Sequence, residues 1–196
     1  MRNYHGDLSV VTGPVLAPLS TAEAKAQTRV DVDADDTLID GYVDAARQLF
    51  EELADKCLLT TTFCLTLDRW PSSPWLPLPR PPLVSVSSVV YYDEDNNSAT
   101  WSSDNYSVIT KPTPGGILRK SSKDWPSVTL RERAGIEITF VAGYATAAAV
   151  PQKYKQALAL LVGHWYESRE DAITTGAVPK SIPMGFDSIL LASRTN

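Results

Sequence analysis

The side chains in this sequence that could bind a metal or take part in catalysis are those of the acidic clusters, two histidines and two cysteines. Asp93, Asp95 and Asn97, followed by Asp104, have the spacing of oxygen ligands in a calcium-binding loop. However, Ser98 stands where such a loop needs glycine, and the flanking residues alternate as strands do. The pattern therefore favours a solvated hairpin turn over a calcium site, and we predict no metal.

Catalytic motifs are not found in this sequence. GxSxG, HExxH, GxGxxG and the phosphate-binding P-loop do not occur. His5 lies in an N-terminal stretch interrupted by proline, and His164 flanks an apolar helical stripe, where a hydrogen-bonded core histidine is the commoner outcome. We predict a protein that is not an enzyme and has no cofactor. A hydrolase that uses only carboxylates stays open, because the 23 acids offer many pairs.

The two cysteines are interpreted as structural. Cys57 and Cys64 lie seven residues apart in a predicted strand, so their side chains should point to opposite faces. A disulfide between them is not expected. Both are typical of small buried hydrophobes in a reducing cytoplasm.

Composition and charge bound the class of protein. The chain has 196 residues, 43% of them hydrophobic, which suits one soluble globular domain spanning 1–196. The net charge is −5 and the pI is near 5.0, which argues against tight nucleic-acid binding, because duplex affinity depends on Lys and Arg neutralising phosphates. No apolar run is long enough to span a bilayer, so we predict no membrane partner.

A central helix is predicted over residues 150–171. Pro151 suits the first helical position, and no proline interrupts the segment that follows. Its apolar residues recur every three or four positions, which requires neighbours on two sides, such as a sheet and another helix. They are Tyr154, Ala157, Leu158, Leu161, Val162 and Trp165.

Two further helices are predicted in residues 1–57, after an extended arm over 1–18. Ser20 and Glu23 form a capping box that starts a helix through about Arg29. Asp35 or Asp36 begins a longer helix that reaches Lys56, in which Gly41 suggests close packing. Its predicted inner face comprises Leu38, Tyr42, Ala46, Leu49, Phe50 and Leu53.

Residues 58–145 are predicted to form an antiparallel β insertion between the long helices. Phe63, Leu65 and Leu67 alternate with polar residues, and the prolines of 71–82 favour an irregular segment. Further strands are expected at 84–92, 99–101, 106–109, 117–120 and 136–140. Residues 172–196 should form a loop, a short helix and an unsupported tail. The fold class is therefore α+β: a small helical bundle with two long helices, short N- and C-terminal helices and a β-stranded insertion.

Two surface roles were weighed against plain structural ones. Trp70, Trp101 and Trp125 adjoin proline or turn residues, where tryptophan commonly covers a sheet edge, with ligand stacking as the alternative. Lys153, Lys155 and Arg169 share the wet side of the central helix, and a solvated face is favoured there over a phosphate site.

The order of several motifs resembles one known family. They are PLSTAEAK at 18–25, RVD at 29–31, AAR at 45–47 with Glu51, LTLDRWP at 65–71, LPRPPLVSVSSV at 78–89, Tyr106, WP at 125–126, AGY at 142–144 and HWYESRE at 164–170. From about Pro18 to Leu191 the chain resembles the head-to-tail connector, or adaptor, proteins of long-tailed phages and phage-derived gene transfer agents. It departs from that pattern at residues 55–57, where a Thr-Gly-Arg-like tight turn is expected.

The resemblance implies a structural role without catalysis. Such adaptors form a ring, usually of twelve copies, beneath the portal protein, and join the capsid vertex to the next neck or tail protein. DNA passes through their channel without specific binding. The expected location is the head-to-tail junction of a virion or virion-like particle whose parts are made in the bacterial cytoplasm. Another neck or tail-completion protein, or a small ligand-binding or hydrolase domain, is the alternative.

The C-terminal segment is the candidate for portal binding. An apolar tail can become ordered in a partner's groove, or its apolar side chains can pack on the chain's own core. Both alternatives stay open in the sequence. The candidate residues are Ile182, Met184, Phe186, Ile189, Leu190 and Arg194.

Overall fold

A computed structural model describes residues 6–111, 113–167 and 183–194. The chain divides into two compact units. A helical unit contains Val15–Leu59 and Tyr144–Asn196, and a β unit contains Met1–Pro14 and Thr60–Gly143. The β unit is thus largely an insertion between two parts of the helical unit.

Four α-helices form the described helical unit. They are α1 (Thr21–Thr28), α2 (Asp36–Ala54), α3 (Gln152–Glu167) and α4 (Met184–Arg194). The capping box predicted for α1 is confirmed: the Glu23 backbone N–H donates to Ser20 Oγ, and the Ser20 backbone N–H donates to the Glu23 carboxylate at 2.8 Å. A short 3-10 helix, Asp33–Asp35, leads into α2.

Aromatic rings from three helices meet in the helical core. The Phe50 ring of α2 lies 5.2 Å from Tyr154 of α3 and 6.2 Å from Phe186 of α4, between ring centroids. Both distances are in the range in which aromatic pairs attract beyond their buried area. The predicted short C-terminal helix is therefore α4, and Phe186 fixes it to the core.

The predicted inner face of α2 is partly wrong. Ile39 and Val43 are buried, whereas Leu38 is 39% exposed. Buried positions follow the spacing of Ile39, Val43, Ala46 and Phe50, which turns the face away from Leu38. Gly41 was expected to allow close packing, but a Cβ there would meet nothing within 4 Å.

The apolar stripe predicted for α3 packs within the helical unit against helices. Tyr154, Leu158 and Leu161 are buried, and α3 contacts α1, α2 and α4. Lys155 was expected on the wet side but is only 9% exposed, because α1 covers this part of α3. The tail also differs from the expectation: Ser193 is buried, and its hydroxyl donates to the Ile189 carbonyl oxygen at 2.6 Å.

The β unit contains two antiparallel sheets. The five-stranded sheet has the order β1-β2-β8-β4-β5, and the three-stranded sheet has the order β3-β7-β6. The strands are β1 (Gly6–Thr12), β2 (Thr61–Leu67), β3 (Trp75–Pro77), β4 (Leu83–Tyr92), β5 (Ser98–Thr100), β6 (Tyr106–Ile109), β7 (Gly116–Arg119) and β8 (Ile136–Ala142).

The predicted alternation holds in the central strands. Phe63 pairs with Phe140 and Leu65 with Ile138, so these side chains share the buried face of the five-stranded sheet. The Phe63 and Phe140 rings stack with centroids 5.6 Å apart. Their alternating neighbours on β2 and β8 are half-buried.

Two segments that were not predicted as strands form strands, one in the predicted extended arm and one in the segment predicted to be irregular. Part of the predicted N-terminal arm is β1, which pairs antiparallel with β2, and part of the proline-rich segment is β3, which pairs with β7. Leu8 pairs opposite Leu65, so β1 extends the sheet rather than lying free. Pro77 is tolerated because β3 is at the edge of its sheet.

The first prediction concerns the packing of α4. Phe186→Ala should lower the free energy of unfolding by about 3–5 kcal/mol, because Phe186 is fully buried against Phe50. Urea denaturation followed by circular dichroism measures the change. Met184→Ala is the matched control, since Met184 is 84% exposed on the same helix and should change stability by less than about 0.5 kcal/mol. Equal effects of the two variants would contradict the packing described.

Candidate functional site

Among the described residues, those with catalytic or metal-binding potential do not converge on one site. Asp93 Oδ1 accepts hydrogen bonds from the Asp95 and Asn97 backbone N–H groups at 3.0 and 2.8 Å, and Oδ2 accepts from the Asn97 side-chain amide. The Asn97 amide, with the backbone N–H groups, lowers the pKa of Asp93. This carboxylate thus closes a turn. Within the described residues, no three His, Cys, Asp or Glu side chains are grouped so that they could hold a metal ion.

The cysteines and His164 have structural surroundings. Cys57 is buried and its thiol donates to the Leu59 carbonyl oxygen at 3.0 Å, but it lies before β2, not on a strand as predicted. Cys64 lies on β2, where burial raises the pKa of its thiol. Neither forms a disulfide, as predicted. His164 is half-buried in the last turn of α3, and His5 lies outside the described residues.

Tryptophans predicted to cover a sheet edge pack on one another in the β unit. The Trp70 and Trp125 rings are stacked, with centroids 5.0 Å apart and planes 15° apart. Trp101 lies 4.8 Å from Trp125 and stacks on Tyr106 at 5.2 Å. The Trp125 indole N–H donates to the Ser73 carbonyl oxygen at 3.3 Å. These contacts indicate that the tryptophan rings serve packing: they hold the strands and the loop that carries Trp125 together.

The basic face predicted on α3 is divided by the fold. Lys155 Nζ forms an ion pair with Glu23 Oε1 at 3.0 Å, which joins α3 to the start of α1. Lys153 Nζ lies 5.2 Å from the centre of the Tyr154 ring, a cation–π contact. Arg169 lies outside the described residues. Among the described residues, Lys155 is therefore engaged with α1, while Lys153 contacts the Tyr154 ring.

A second ion pair stabilises the turn that ends α2. Arg47 donates to Glu51 Oε2 at 2.7 Å, and the Leu58 backbone N–H donates to Glu51 Oε1, also at 2.7 Å. Asp55 has a left-handed backbone with φ of 53°, which ends the helix. At this point the sequence departs from the tight turn of the resembling family, and Glu51 supplies a side-chain acceptor for the chain that leaves the helix.

The side of α2 near α1 is lined with acids. Asp36, Asp40 and Asp44 follow one another at four-residue intervals, which places them along one side of the helix. Asp36 pairs with Lys25 Nζ at 2.8 Å, and Asp33 pairs with the same ammonium group at 2.7 Å. Hydrogen bonds to Asp33 and then Asp36 raise the pKa of Lys25 to about 12. This acidic side was not identified as a candidate surface from the sequence.

The structure separates the candidate portal-binding residues into two groups. Phe186 and Leu190 are buried in the helical core and Ile189 is half-buried against it, whereas Met184 is exposed. Leu191, seven residues after Met184, is 63% exposed, so the two share the outer side of α4. Arg194 is the last residue of α4, and Ile182 lies outside the described residues. Sequence reasoning missed Leu191, whose seven-residue spacing from Met184 was visible.

A membrane-spanning helix is not seen in the described ranges, since none of the helices there is both long and apolar enough.

Comparisons with known proteins identify the fold. No protein-family model matches the chain, and no curated protein matches it. Among solved structures, a chain described as "Virion of native gene transfer agent (GTA) particle" aligns with a TM-score of 0.78 and 24% identity, covering 95% of this chain and 94% of that chain. A chain of "Neck of empty GTA particle computed with C6 symmetry" gives 0.78 and 25%, covering 96% and 95%. A chain of "Neck of native GTA particle computed with C12 symmetry" gives 0.76 and 24%, covering 96% and 94%.

The similarity extends over nearly the whole length of each chain. The protein therefore has the mixed α and β fold, with antiparallel sheets, found in chains of gene transfer agent particles and their necks. Because 96% of the chain is covered, the aligned part includes residues of both units.

A pH prediction follows from Glu23. The Ser20 backbone N–H, followed by Lys155, lowers the pKa of Glu23 from 4.5 to about 2. The folded state thus keeps the carboxylate charged at pH values where the unfolded chain is protonated. The stabilisation is present above about pH 4.5 and is lost as the pH falls towards 2. Because the Glu23 side chain is 45% exposed, we expect about 1 kcal/mol at neutral pH.

Glu23→Gln tests this contribution, because glutamine can also complete a capping box. The difference in unfolding free energy between wild type and variant should be largest near pH 7 and should shrink below pH 4.5. Urea titrations across this pH range measure it. Glu52→Gln, at an exposed position of α2, is the control. A constant difference across the range would contradict the role of the ion pair.

A third prediction concerns the turn after α2. Glu51→Ala should lower the unfolding free energy by about 1–3 kcal/mol, because the backbone N–H of buried Leu58 loses its acceptor. Asp44→Ala is the matched control: Asp44 also pairs with Arg47, at 2.6 Å, but its side chain is 58% exposed. We expect less than about 0.5 kcal/mol for it. Chemical denaturation that finds the two losses equal would show that Leu58 does not depend on Glu51.

Proposed function

We propose that this chain is a structural neck protein, the head-to-tail adaptor of a phage or gene transfer agent particle. The observation that carries the proposal is the similarity of fold over at least 95% of the chain to chains of gene transfer agent particles. The motif order found in the sequence supports the same family and was identified from the residues alone. Two of those motif residues, Arg47 and Glu51, form the ion pair that stabilises the turn after α2.

The adaptor is proposed to assemble as a ring of copies beneath the portal protein and to join it to the next neck or tail protein. Two of the similar structures come from necks computed with sixfold and twelvefold symmetry, which supports a ring, and we propose twelve copies. Each subunit would present two different patches to its neighbours. A heterologous contact of this kind gives a closed ring when the rotation between neighbouring subunits is fixed. We propose that the portal fixes it.

DNA is proposed to pass through the ring without being gripped. The chain carries a net charge of −5, and Asp36, Asp40 and Asp44 form an acidic side on α2. If this side faces the channel, it repels the phosphates and keeps the duplex mobile. Catalysis has no part in this role.

The outer side of α4 is proposed to bind the portal. Met184 and Leu191 are exposed apolar side chains on one side of this helix, while Phe186 and Leu190 attach it to the core. An amphipathic helix held in this way offers its outer residues to a groove on a partner. This assigns portal binding to Met184 and Leu191, and a supporting role to Phe186 and Leu190.

Electron microscopy of particles that contain the tagged chain tests the location and copy number together. We expect a ring of twelve copies in contact with the portal. A ring that contacts only tail proteins would assign the chain to a tail-completion role instead. Particles whose necks lack the chain would overturn the proposal.

A fourth prediction tests the surface of α4. Changing Met184 and Leu191 together to Glu should abolish retention on immobilised portal rings, because charged groups would have to be buried in the contact. The fold should persist, since both residues are exposed. Met184→Leu with Leu191→Met keeps the surface apolar and should retain binding. Undiminished binding by the glutamate variant would exclude this surface, with circular dichroism confirming that both variants are folded.

A further inference from the structure

The two sheets of the β unit end in four edge strands, namely β1, β5, β3 and β6. An edge strand presents a row of backbone N–H and C=O groups that a strand of another chain can pair with. Proteins normally protect such edges with proline, charge or a very short strand. The degree of protection therefore indicates which edges are free to take part in assembly.

A register shift between Val10 and Thr12 in the pairing with β2 gives the edge of strand β1 only partial protection. Its seven residues, GDLSVVT, contain no proline and one charged residue, Asp7. Val10 and Val11 are 60% and 58% exposed, which is unusual for two adjacent β-branched residues of an edge strand. In the described structure, β1 pairs on one side only, with β2. Its outer edge is therefore open to pairing with another strand in the described structure.

The remaining edges differ in their suitability as a partner for β1. Strand β3 contains Pro77, which has no N–H to donate. Strand β5 has three residues and follows an acidic turn, Asp93–Asp95, which would repel Asp7. Strand β6 contains no proline, and Lys111 follows it two residues after its end. Of the three other edge strands, β6 is therefore the most suitable partner for β1, because it contains no proline and is followed by a positive charge.

One antiparallel register satisfies both strands. Val10 pairs with Phe63 and points to the buried face of its sheet, and Val108 pairs with Ile117 on the buried side of β7. Val108 is 37% exposed, so both valines lie at the margins of buried faces. Placing Val10 opposite Val108 would bring the margins of the two buried sheet faces together. The same antiparallel register sets Asp7 opposite Lys111 on the other face, since Asp7 lies three residues before Val10 and Lys111 lies three residues after Val108.

We propose that β1 of one copy pairs antiparallel with β6 of the next copy, with Val10 opposite Val108 and Asp7 opposite Lys111. The occupant of the β1 edge is thus a second copy of this chain. Two different edges of one subunit supply the two patches that a heterologous ring contact needs. The inference rests on the proposed function for the existence of the ring, and it adds the contact that builds it.

Cross-linking in assembled particles tests the pairing. Chains with Val10→Cys and chains with Val108→Cys, both carrying Cys64→Ser, are assembled together and treated with a short bismaleimide. Cys57 is retained because it is 1% exposed. A cross-linked dimer is expected only in the mixture, and a chain that carries both cysteines should give a ladder of multimers. Cross-linking of the Val10→Cys chain to itself would mean that β1 pairs with β1, which overturns the proposal.

Val15→Cys is the matched control for random collision. Val15 is 96% exposed, more than Val10, but lies outside β1. Mixed with the Val108→Cys chain, it should give no dimer. A dimer as abundant as that from Val10→Cys would remove the support for a specific register.

Charge reversal tests the ion pair in the same assay. Asp7→Lys in the Val10→Cys chain, or Lys111→Asp in the Val108→Cys chain, should each lower the dimer yield about fivefold. Combining both reversals should restore it, which a general loss of folding would not do. Both side chains are exposed, so each variant should fold. Failure of the combined reversal to restore the yield would contradict the register.

The outcome separates this contact from the proposed function. Particles whose necks show a ring of this chain, but without cross-linking between positions 10 and 108, overturn the β1–β6 contact and leave the adaptor role standing. Necks without the chain overturn the adaptor role. Electron microscopy of the same preparations distinguishes the two results.

Discussion

The antiparallel pairing of β2 with β8 is the constraint on which this architecture depends. Thr61 lies opposite Ala142, so the inserted β unit begins and ends at adjacent positions of one sheet. Because the two ends of the insertion are held together, its length adds little to the entropic cost of bringing the segments on either side of it together. The segments before and after the insertion can then form one helical unit, in which Phe50 of α2 meets Tyr154 and Phe186.

Charged side chains of the helical unit connect different segments of the chain. The carboxylate of Glu23 completes the cap of α1 and also pairs with the buried ammonium group of Lys155 on α3. Glu51 similarly accepts from Arg47 and from the backbone of Leu58. The Glu23–Lys155 pair thus joins two helices that are far apart in sequence, whereas Glu51 connects α2 to the chain that leaves it.

The exposed features of the molecule suit contact with other proteins. An apolar strand edge at β1, the outer side of α4 and the acidic side of α2 are all accessible, while the tryptophans and the carboxylate of Asp93 are occupied by local packing and turn formation. Such a distribution is compatible with contact to other proteins, and chains of gene transfer agent necks share the fold.

Local sequence patterns specified most of the elements and their order, although β1 and β3 were not predicted as strands. The capping box of Ser20 and Glu23, the stripe of α3 and the alternation around Phe63 and Ile138 are local patterns, and each is confirmed. Tertiary structure decided which neighbour each element meets. The arm became β1 because β2 offers an edge, Lys155 became buried because α1 covers it, and Phe186 joined the core instead of staying free. Local patterns show whether the apolar residues of a segment repeat with the period of a helix or of a strand. Burial and strand pairing depend on contacts between residues far apart in sequence, which no local pattern contains.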